Sequence, residues 1–156
     1  MTPRIGIQRE DFDPAAELDR LTLGRTDIGA VASFVGLCRD EQGRLSALEL
    51  EHYPGMAEAE VARVAAEALD RWPLLGLTVI HRYGLIRPGE RIVLVAAASS
   101  HREAAFGAAE FLMDFLKTRA PFWKREHLRG GEAGEWVDAR EADDRAASRW
   151  AISQGA

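Results

Sequence analysis

Two lysines are the residues of this chain whose type and spacing most directly suggest chemistry. Of the twenty Lys and Arg residues only Lys117 and Lys124 are lysines, and they stand seven positions apart. An Arg guanidinium stays protonated at any relevant pH, whereas a Lys amine can lose its proton and act as a base or a nucleophile. Ala120-Pro121 turns the chain back between them, so we expect the two amines to lie close together, which favours the loss of one proton. The alternative is that both are ordinary surface lysines.

The charge around these lysines is unlike that of the rest of the chain. The 156 residues carry a net charge of −5, yet the thirteen residues from Lys117 to Arg129 hold five of the twenty basic side chains. Glu126 is the only acid in this segment. An acidic protein with one basic segment is typical of a site for a small anion, and it argues against general nucleic-acid binding.

Two further positions could help to hold an anion. His101 and Arg102 follow Ser99-Ser100 at a predicted helix N-terminus, where free backbone N–H groups favour negative charge. Arg39 lies at the end of a predicted strand, where it could bind a phosphate or carboxylate with two hydrogen bonds. The alternative for all three residues is a solvated surface position.

Other candidates indicate structure more than chemistry. Cys38 is the single cysteine, and a lone Cys is usually a small core residue. His52 and His81 fall in predicted strands with no partner spacing, and we interpret both as structural or surface residues. The sequence shows neither metal-ligand spacing nor a phosphate-binding or dinucleotide-binding glycine loop, so we expect no metal and no cofactor.

The elements that must position these residues alternate between helix and strand. Helices are predicted over residues 13–21, 56–72, 100–118 and 141–150, the third with Ser100 and Glu103 as a capping box. Strands are predicted over residues 28–37, 45–53, 77–83, 91–98, 122–126 and 136–139, with the first two forming a hairpin through a turn at residues 40–43. Residues 128–135 form a glycine-rich loop. The pattern predicts an α/β (α+β) protein.

Length and composition set the class of protein. A chain of 156 residues suits one domain over residues 1–156. The longest apolar run, residues 92–98, has seven residues, whereas a membrane span needs roughly 18. The N-terminal residues lack the apolar stretch of a signal peptide. We therefore expect a soluble, cytoplasmic protein without a membrane partner.

Several segments together resemble one protein family. These are FVG at residues 34–36 leading to Arg39, LELEHYPGM at 48–56, VIHR at 79–82, SHR at 100–102 and LKTRAPFWKRE at 116–126. They resemble the large, catalytic subunit of molybdopterin synthase over residues 27–150, which is most of the chain.

The resemblance implies a reaction, a fold and an assembly. Members of that family are sulfurtransferases that convert cyclic pyranopterin monophosphate to molybdopterin during molybdenum cofactor biosynthesis. The sulfur arrives on the C-terminal Gly-Gly thiocarboxylate of a small ubiquitin-like carrier subunit. Two large subunits form the central dimer of a heterotetramer. The implied fold is an α/β hammerhead with an additional antiparallel β subdomain.

The resemblance also assigns roles by position. It implies that Lys117 and Lys124 are the catalytic pair, and that Arg39, His101 and Arg102 bind the phosphate of the substrate, the last two from the neighbouring protomer. Further implied substrate-binding positions are Leu37, Cys38, Arg125, Glu126 and Arg140, and implied pocket positions are Phe34 and Met113. Leu37 departs from relatives that carry a basic residue there, which weakens its assignment.

Two other functions remain open at the level of the residues. A small phosphometabolite enzyme could use one lysine as a Schiff base with no protein partner. A non-catalytic subunit could present the basic segment to an acidic protein, and it would tolerate Arg at both lysine positions. The residues also leave open whether a lysine bonds covalently to the carrier.

Overall fold

In the part of the chain that the structure describes, seven strands form two sheets, and helices α1, α2 and α3 cover the larger of them. The structure is a computed structural model that describes residues 1–136 together with Ser148 and Trp150. Its strands are β1 (Arg4–Gln8), β2 (Ala30–Leu37), β3 (Leu45–His52), β4 (Leu74–Arg82), β5 (Gly84–Ile86), β6 (Arg91–Ser99) and β7 (Phe122–Leu128). Its helices are α1 (Pro14–Thr22), α2 (Met56–Arg71) and α3 (Arg102–Thr118).

The larger sheet, which we call sheet A, has the strand order β1-β4-β6-β2. β1 runs parallel to β4, and the other two pairs are antiparallel. Val79 and Val95 face α2 and α3, whereas Ile80 and Leu94 face α1. Because helices cover both faces, the central strands β4 and β6 are continuous apolar runs and not alternating ones.

The helices bury the stripes that their 3.6-residue periodicity predicts. The predicted inward residues are Val61, Val64, Ala65, Ala68 and Trp72 for the first of these helices and Ala104, Ala108, Phe111, Leu112 and Phe115 for the second. All are buried except Trp72, which is half-buried and follows the end of α2. The prediction of these two core helices is confirmed.

The smaller sheet, sheet B, is antiparallel throughout, with the order β5-β3-β7. It is the additional antiparallel subdomain that the resemblance implied, and the α/β fold class is confirmed. The predicted hairpin of β2 with β3 is wrong, because the two strands lie in different sheets. Cys38 instead exchanges backbone hydrogen bonds with Glu90 and Gly89, at 2.8 and 2.7 Å. The chain is thereby held along the β5–β6 turn and crosses from one sheet to the other.

The predicted cap of α1 is present and that of α3 is not. The Asp13 side chain accepts a hydrogen bond from the Ala15 N–H at 3.0 Å. The N-cap of α3 is His101, not Ser100, and it makes no side-chain capping bond. The Ser100 hydroxyl donates instead to the Asp27 carbonyl at 3.4 Å, so the capping box predicted with Glu103 is wrong.

A few other predictions differ or lie outside the described residues. β1 has no counterpart in the sequence prediction. Trp136 lies outside any strand, and residues 137–139 of the predicted last strand lie outside the described residues. Of the predicted helix over residues 141–150, only Ser148 and Trp150 are described, and both are helical. Within the described residues, no helix is both long and apolar enough to cross a membrane.

The close approach of Gly29 to the backbone of Ser100, just before α3, gives a stability prediction. The Gly29 N–H donates to the Ser99 carbonyl at 3.0 Å, and a Cβ at Gly29 would overlap the carbonyl oxygen of Ser100. Gly29→Ala should therefore lower the free energy of unfolding by about 1–3 kcal/mol. Gly134→Ala is the control, since its nearest neighbour would be 3.5 Å away; it should change stability by less than about 0.5 kcal/mol in urea unfolding. Equal stability of the two variants would contradict the prediction.

Candidate active site

A tight reversal after α3 places the second lysine beside the end of the helix. The N–H groups of Arg119 and Ala120 both donate to the Phe115 carbonyl, and the Phe122 N–H donates to the Ala120 carbonyl at 2.7 Å. β7 therefore starts immediately after the helix ends. Lys117 is exposed in the last turn of α3, and Lys124 is half-buried in the middle of β7.

Lys124 lies on the inner face of sheet B, the face turned towards sheet A. Residues that pair directly across antiparallel strands share a face, and Lys124 pairs with Leu50. Leu50 packs in a buried cluster with Cys38 and Ile86. Phe122, two positions before Lys124, lies on the same face because side chains alternate along a strand.

Phe122 carries the main contact between the two sheets at this point. Its ring stacks on the imidazole of His81 in β4, with ring centroids 3.9 Å apart and an interplanar angle of 15°. On β3, His52 pairs with Phe122 and its ring lies 4.2 Å from that of Tyr83. The two histidines that sequence analysis interpreted as structural or surface residues are thus both buried, at the junction that joins the lysine-bearing elements.

His81 is a neutral imidazole. Its Nδ1 lies 2.8 Å from the Arg82 carbonyl oxygen, which can only accept, so the proton of the neutral ring is on Nδ1. Burial is the largest cause that lowers the pKa of His81 to about 4, and the positive charge of Lys117 lowers it further. The Lys117 ammonium therefore lies within electrostatic range of this ring.

Arg39 lies at the same end of sheet A as the lysines. α3 follows β6 directly and runs back along the sheet towards the start of β6, where Leu37 pairs with Arg91. Leu37 and Arg39 are both exposed, whereas Cys38 between them is buried. Burial raises the pKa of the Cys38 thiol, which suits a core residue and not a nucleophile. The substrate contacts expected of these three residues remain predictions.

His101 and Arg102 lie at the opposite end of α3. From Arg102 to Lys117 the helix axis rises about 22 Å, so these two residues and Lys117 of one protomer cannot hold the same small phosphate ester. Both are exposed. Among the described residues, neither side chain has a hydrogen-bond or ion-pair partner.

Arg125 and Glu126 point to opposite faces of sheet B. Arg125 lies on the outer face, with its guanidinium carbon 4.4 Å from the ring centroid of Trp136. Glu126 shares the inner face with Lys124 and forms an ion pair of 3.2 Å with Arg44. Their roles in substrate binding remain predictions. Arg140 lies outside the described residues.

The remaining pocket candidates lie on the face of sheet A that α2 and α3 cover. Met113 of α3 is buried in the main core, and Phe34 is an edge residue of β2 with 43% of its surface exposed. The glycine-rich loop folds back on β7, because the Gly134 N–H donates to the Glu126 carbonyl at 2.8 Å. Within the described part of the chain, no three His, Cys, Asp or Glu side chains are grouped to hold a metal ion.

Comparison with known proteins gives close relatives over nearly the whole chain. A Mesorhizobium japonicum protein named molybdopterin synthase catalytic subunit is 69% identical over 153 residues, which are 98% of this chain and 96% of that protein. The solved molybdopterin biosynthesis MoaE protein of Burkholderia ambifaria superposes with a TM-score of 0.82 at 48% identity, covering 96% of this chain and 99% of that one. Molybdopterin synthase from Staphylococcus aureus superposes with a TM-score of 0.74 at 30% identity, covering 85% and 95%.

The fold and the comparisons together define the class of protein. The helix-covered mixed sheet with an antiparallel second sheet is the fold on which these solved molybdopterin synthase proteins superpose. The family model described as MoaE protein matches residues 7–119, and the chain belongs to this family. The family predicted from the sequence motifs is confirmed.

The buried neutral His81 predicts a pH-dependent stability. As the pH falls from 6.5 to 4, the unfolded chain protonates this histidine and the folded chain does not. The free energy of unfolding should therefore fall with decreasing pH, by up to about 3 kcal/mol from this group. His81→Gln should show a shallower fall in urea unfolding across that pH range. His127→Gln, on the outer face of sheet B, should keep the full fall; identical pH profiles for all three proteins would refute the assignment.

Proposed function

We propose that this chain is a sulfurtransferase that converts cyclic pyranopterin monophosphate to molybdopterin in molybdenum cofactor biosynthesis. The observation that carries the proposal is the 69% identity to a molybdopterin synthase catalytic subunit across 98% of the chain. The proposal is supported by the fold around the only two lysines of the chain: Lys117 is in the last turn of α3, and β7, which carries Lys124 on the inner face of sheet B, follows that helix directly. The basic segment from Lys117 to Arg129, in a chain of net charge −5, suits a phosphate-bearing substrate.

The residues at the junction have the functional groups that this reaction needs. The thiocarboxylate sulfur is itself the nucleophile, so the protein must position it against the pterin side chain and hold the phosphate. The amines of Lys117 and Lys124 transfer protons and neutralise the negative charge that develops. Arg39, at the same end of sheet A, is the phosphate ligand that the same chain supplies.

A small ubiquitin-like carrier is the proposed partner. A subunit named catalytic implies a second subunit, and this reaction needs a sulfur donor that the chain does not contain. The C-terminal Gly-Gly thiocarboxylate of the carrier would enter the junction between the sheets, where Lys117 is exposed and Lys124 half-buried. Glycines suit such an entry because they have no side chain to obstruct it.

Self-association through the β2 edge of sheet A completes the proposed site. Among the described strands, β2 is the last one of sheet A and has a neighbour on one side only. Large apolar residues are exposed on it and near it on α3: Val31 at 37%, Phe34 at 43%, Leu37 at 57% and Phe106 at 65%. An exposed edge strand with apolar side chains is a surface that a second copy can cover.

The dimer accounts for the separation of the two basic groups within one chain. His101 and Arg102 are about 22 Å along α3 from Lys117, and their side chains reach no partner in the described structure. We assign them to the phosphate site of the neighbouring protomer. Each active site would then combine the lysines and Arg39 of one chain with His101 and Arg102 of the other.

A cytoplasmic location belongs to the same proposal. The relatives named above are bacterial proteins, and the single Cys38 is a buried free thiol. A reduced cysteine suits a cytosolic environment.

Replacing Lys117 by Arg separates proton transfer from charge. Lys117→Arg keeps the positive charge, but a guanidinium cannot release a proton as a lysine ammonium can. Turnover should therefore fall by about 100-fold or more. Dithiolene product would be measured after mixing the protein with thiocarboxylated carrier and cyclic pyranopterin monophosphate. Carrier binding, followed by calorimetry, should change less than about twofold, since the charge remains. Arg119→Lys is the matched control, an exposed conservative change two residues away.

The outcomes also separate the rival functions. Full activity of Lys117→Arg would refute the catalytic role of Lys117. Trapping of the substrate on either lysine by borohydride, without any carrier, would favour a Schiff-base enzyme. Unchanged carrier binding by both the Lys117→Arg and the Lys124→Arg variant, with no product even from the wild-type protein, would favour a non-catalytic binding subunit.

Mixing two inactive variants tests the shared site. Lys117→Ala and His101→Ala/Arg102→Ala should each be inactive alone. After the subunits are exchanged in equal amounts, half of the dimers are mixed and each contains one intact site, so activity should return to about one quarter of wild type. Mixing Lys117→Ala with Lys124→Ala is the control, since both defects fall in the same half-site and no intact site forms. No recovery in the first mixture, with exchange shown by mass spectrometry, would place the whole site within one chain.

A further inference from the structure

His81 is the one buried imidazole that contacts the lysine-bearing elements from the opposite sheet. Its ring stacks on Phe122 at 3.9 Å, and Phe122 is two residues before Lys124 on the same face of β7. The charge of Lys117 acts on the same ring from the end of α3. His81 therefore lies between the elements that carry the two amines.

The hydrogen bonding of His81 leaves one nitrogen available. Nδ1 is held by the Arg82 carbonyl at 2.8 Å, which fixes the tautomer and the ring plane. Nε2 is then a lone-pair acceptor, and among the described residues it has no hydrogen-bond donor. A Lys ammonium has three donors and no acceptor, so it is the complementary group for such a nitrogen.

We propose that His81 is a positioning residue for Lys117: its neutral ring, held by Phe122 and the Arg82 carbonyl, presents Nε2 as the acceptor that fixes the lysine amine beside Lys124. This inference rests on the proposed function and adds a residue to it. His81 touches neither substrate nor carrier in this arrangement, and it acts only through Lys117.

A neutral ring suits this role better than a charged one. A protonated imidazole would have no acceptor for Lys117 and would repel its ammonium. Burial in the junction between β4, β3 and β7 excludes that form. The stack on Phe122 also holds the His81 ring against β7. In this arrangement the same imidazole orients Lys117 of α3 and packs beside the strand that carries Lys124.

Side-chain replacements that preserve different parts of the ring test the proposal. His81→Phe keeps the flat ring for Phe122 and removes the acceptor, so kcat should fall by about tenfold or more. The KM for cyclic pyranopterin monophosphate should change less than about threefold, because substrate binding is left to other residues. His81→Gln places an amide oxygen near the former Nε2 position and should recover part of kcat. His81→Asn reproduces only the Nδ1 side and should not. His127→Gln, on the outer face, is the control.

A second measurement does not depend on turnover. The chain has only two lysines, so reaction with an amine acetylating reagent can be followed at each one by peptide mass spectrometry. His81→Phe should accelerate acetylation of Lys117 by about threefold or more. The lysine loses the acceptor that stabilises its protonated form, so more of the reactive neutral amine is present. Lys124 should be unaffected.

The outcomes distinguish the inference from the proposed function. Absence of product from wild-type protein with both substrates bound overturns the function. Wild-type turnover with equal kcat in His81→Phe overturns the positioning role. Losses of kcat that are equal in the Phe, Gln and Asn variants, with unchanged Lys117 acetylation, would reduce His81 to a packing residue and also overturn it.

Discussion

The stack of Phe122 on His81 is the contact on which the arrangement of the site depends. Within residues 1–136 sheet A and sheet B share no strand, and this contact joins β7 of one to β4 of the other, with ring centroids 3.9 Å apart. Phe122 is also the first residue after the reversal that ends α3. One aromatic pair therefore fixes the helix end, the strand that carries Lys124 and the central strand of the core relative to one another.

The direction of α3 imposes the second constraint. A helix of 17 residues separates its two termini by roughly 25 Å, so its basic N-terminal residues and its C-terminal lysine cannot meet around one small substrate. The edge strand β2 runs alongside and exposes apolar side chains where a second copy can pack. The proposed dimer on this edge would let two distant groups of one sequence serve one chemical site.

The sequence predicted the elements whose signals are local. The apolar stripes of α2 and α3, the buried runs of β4 and β6, and the reversal at Pro121 depend on residues near each other in the chain. The hairpin of β2 with β3 failed because the turn at residues 40–43 shows where the chain reverses and not which strand it pairs with. The buried environment of His81 was not predicted for the same reason, because Phe122, which stacks on it, is far from it in sequence. The five-residue β1 is too short, with Gly6 at its centre, to show a clear strand period.

The distribution of charge follows from the same packing. Burial keeps His81 neutral, and the positive charge that acts on its ring comes from Lys117. Arg39 at the same end of sheet A is exposed and forms an ion pair of 3.4 Å with Glu41. The rest of the chain is acidic, and a positive segment within a negative surface directs an anion to that segment. Several Arg residues elsewhere are engaged, as Arg82 is with the backbone carbonyls of Arg9 and Arg91. A fixed cation suffices to hold an anion, but only an amine can also give up a proton, and under the proposed function this difference would account for lysine at two positions in a chain that otherwise uses arginine.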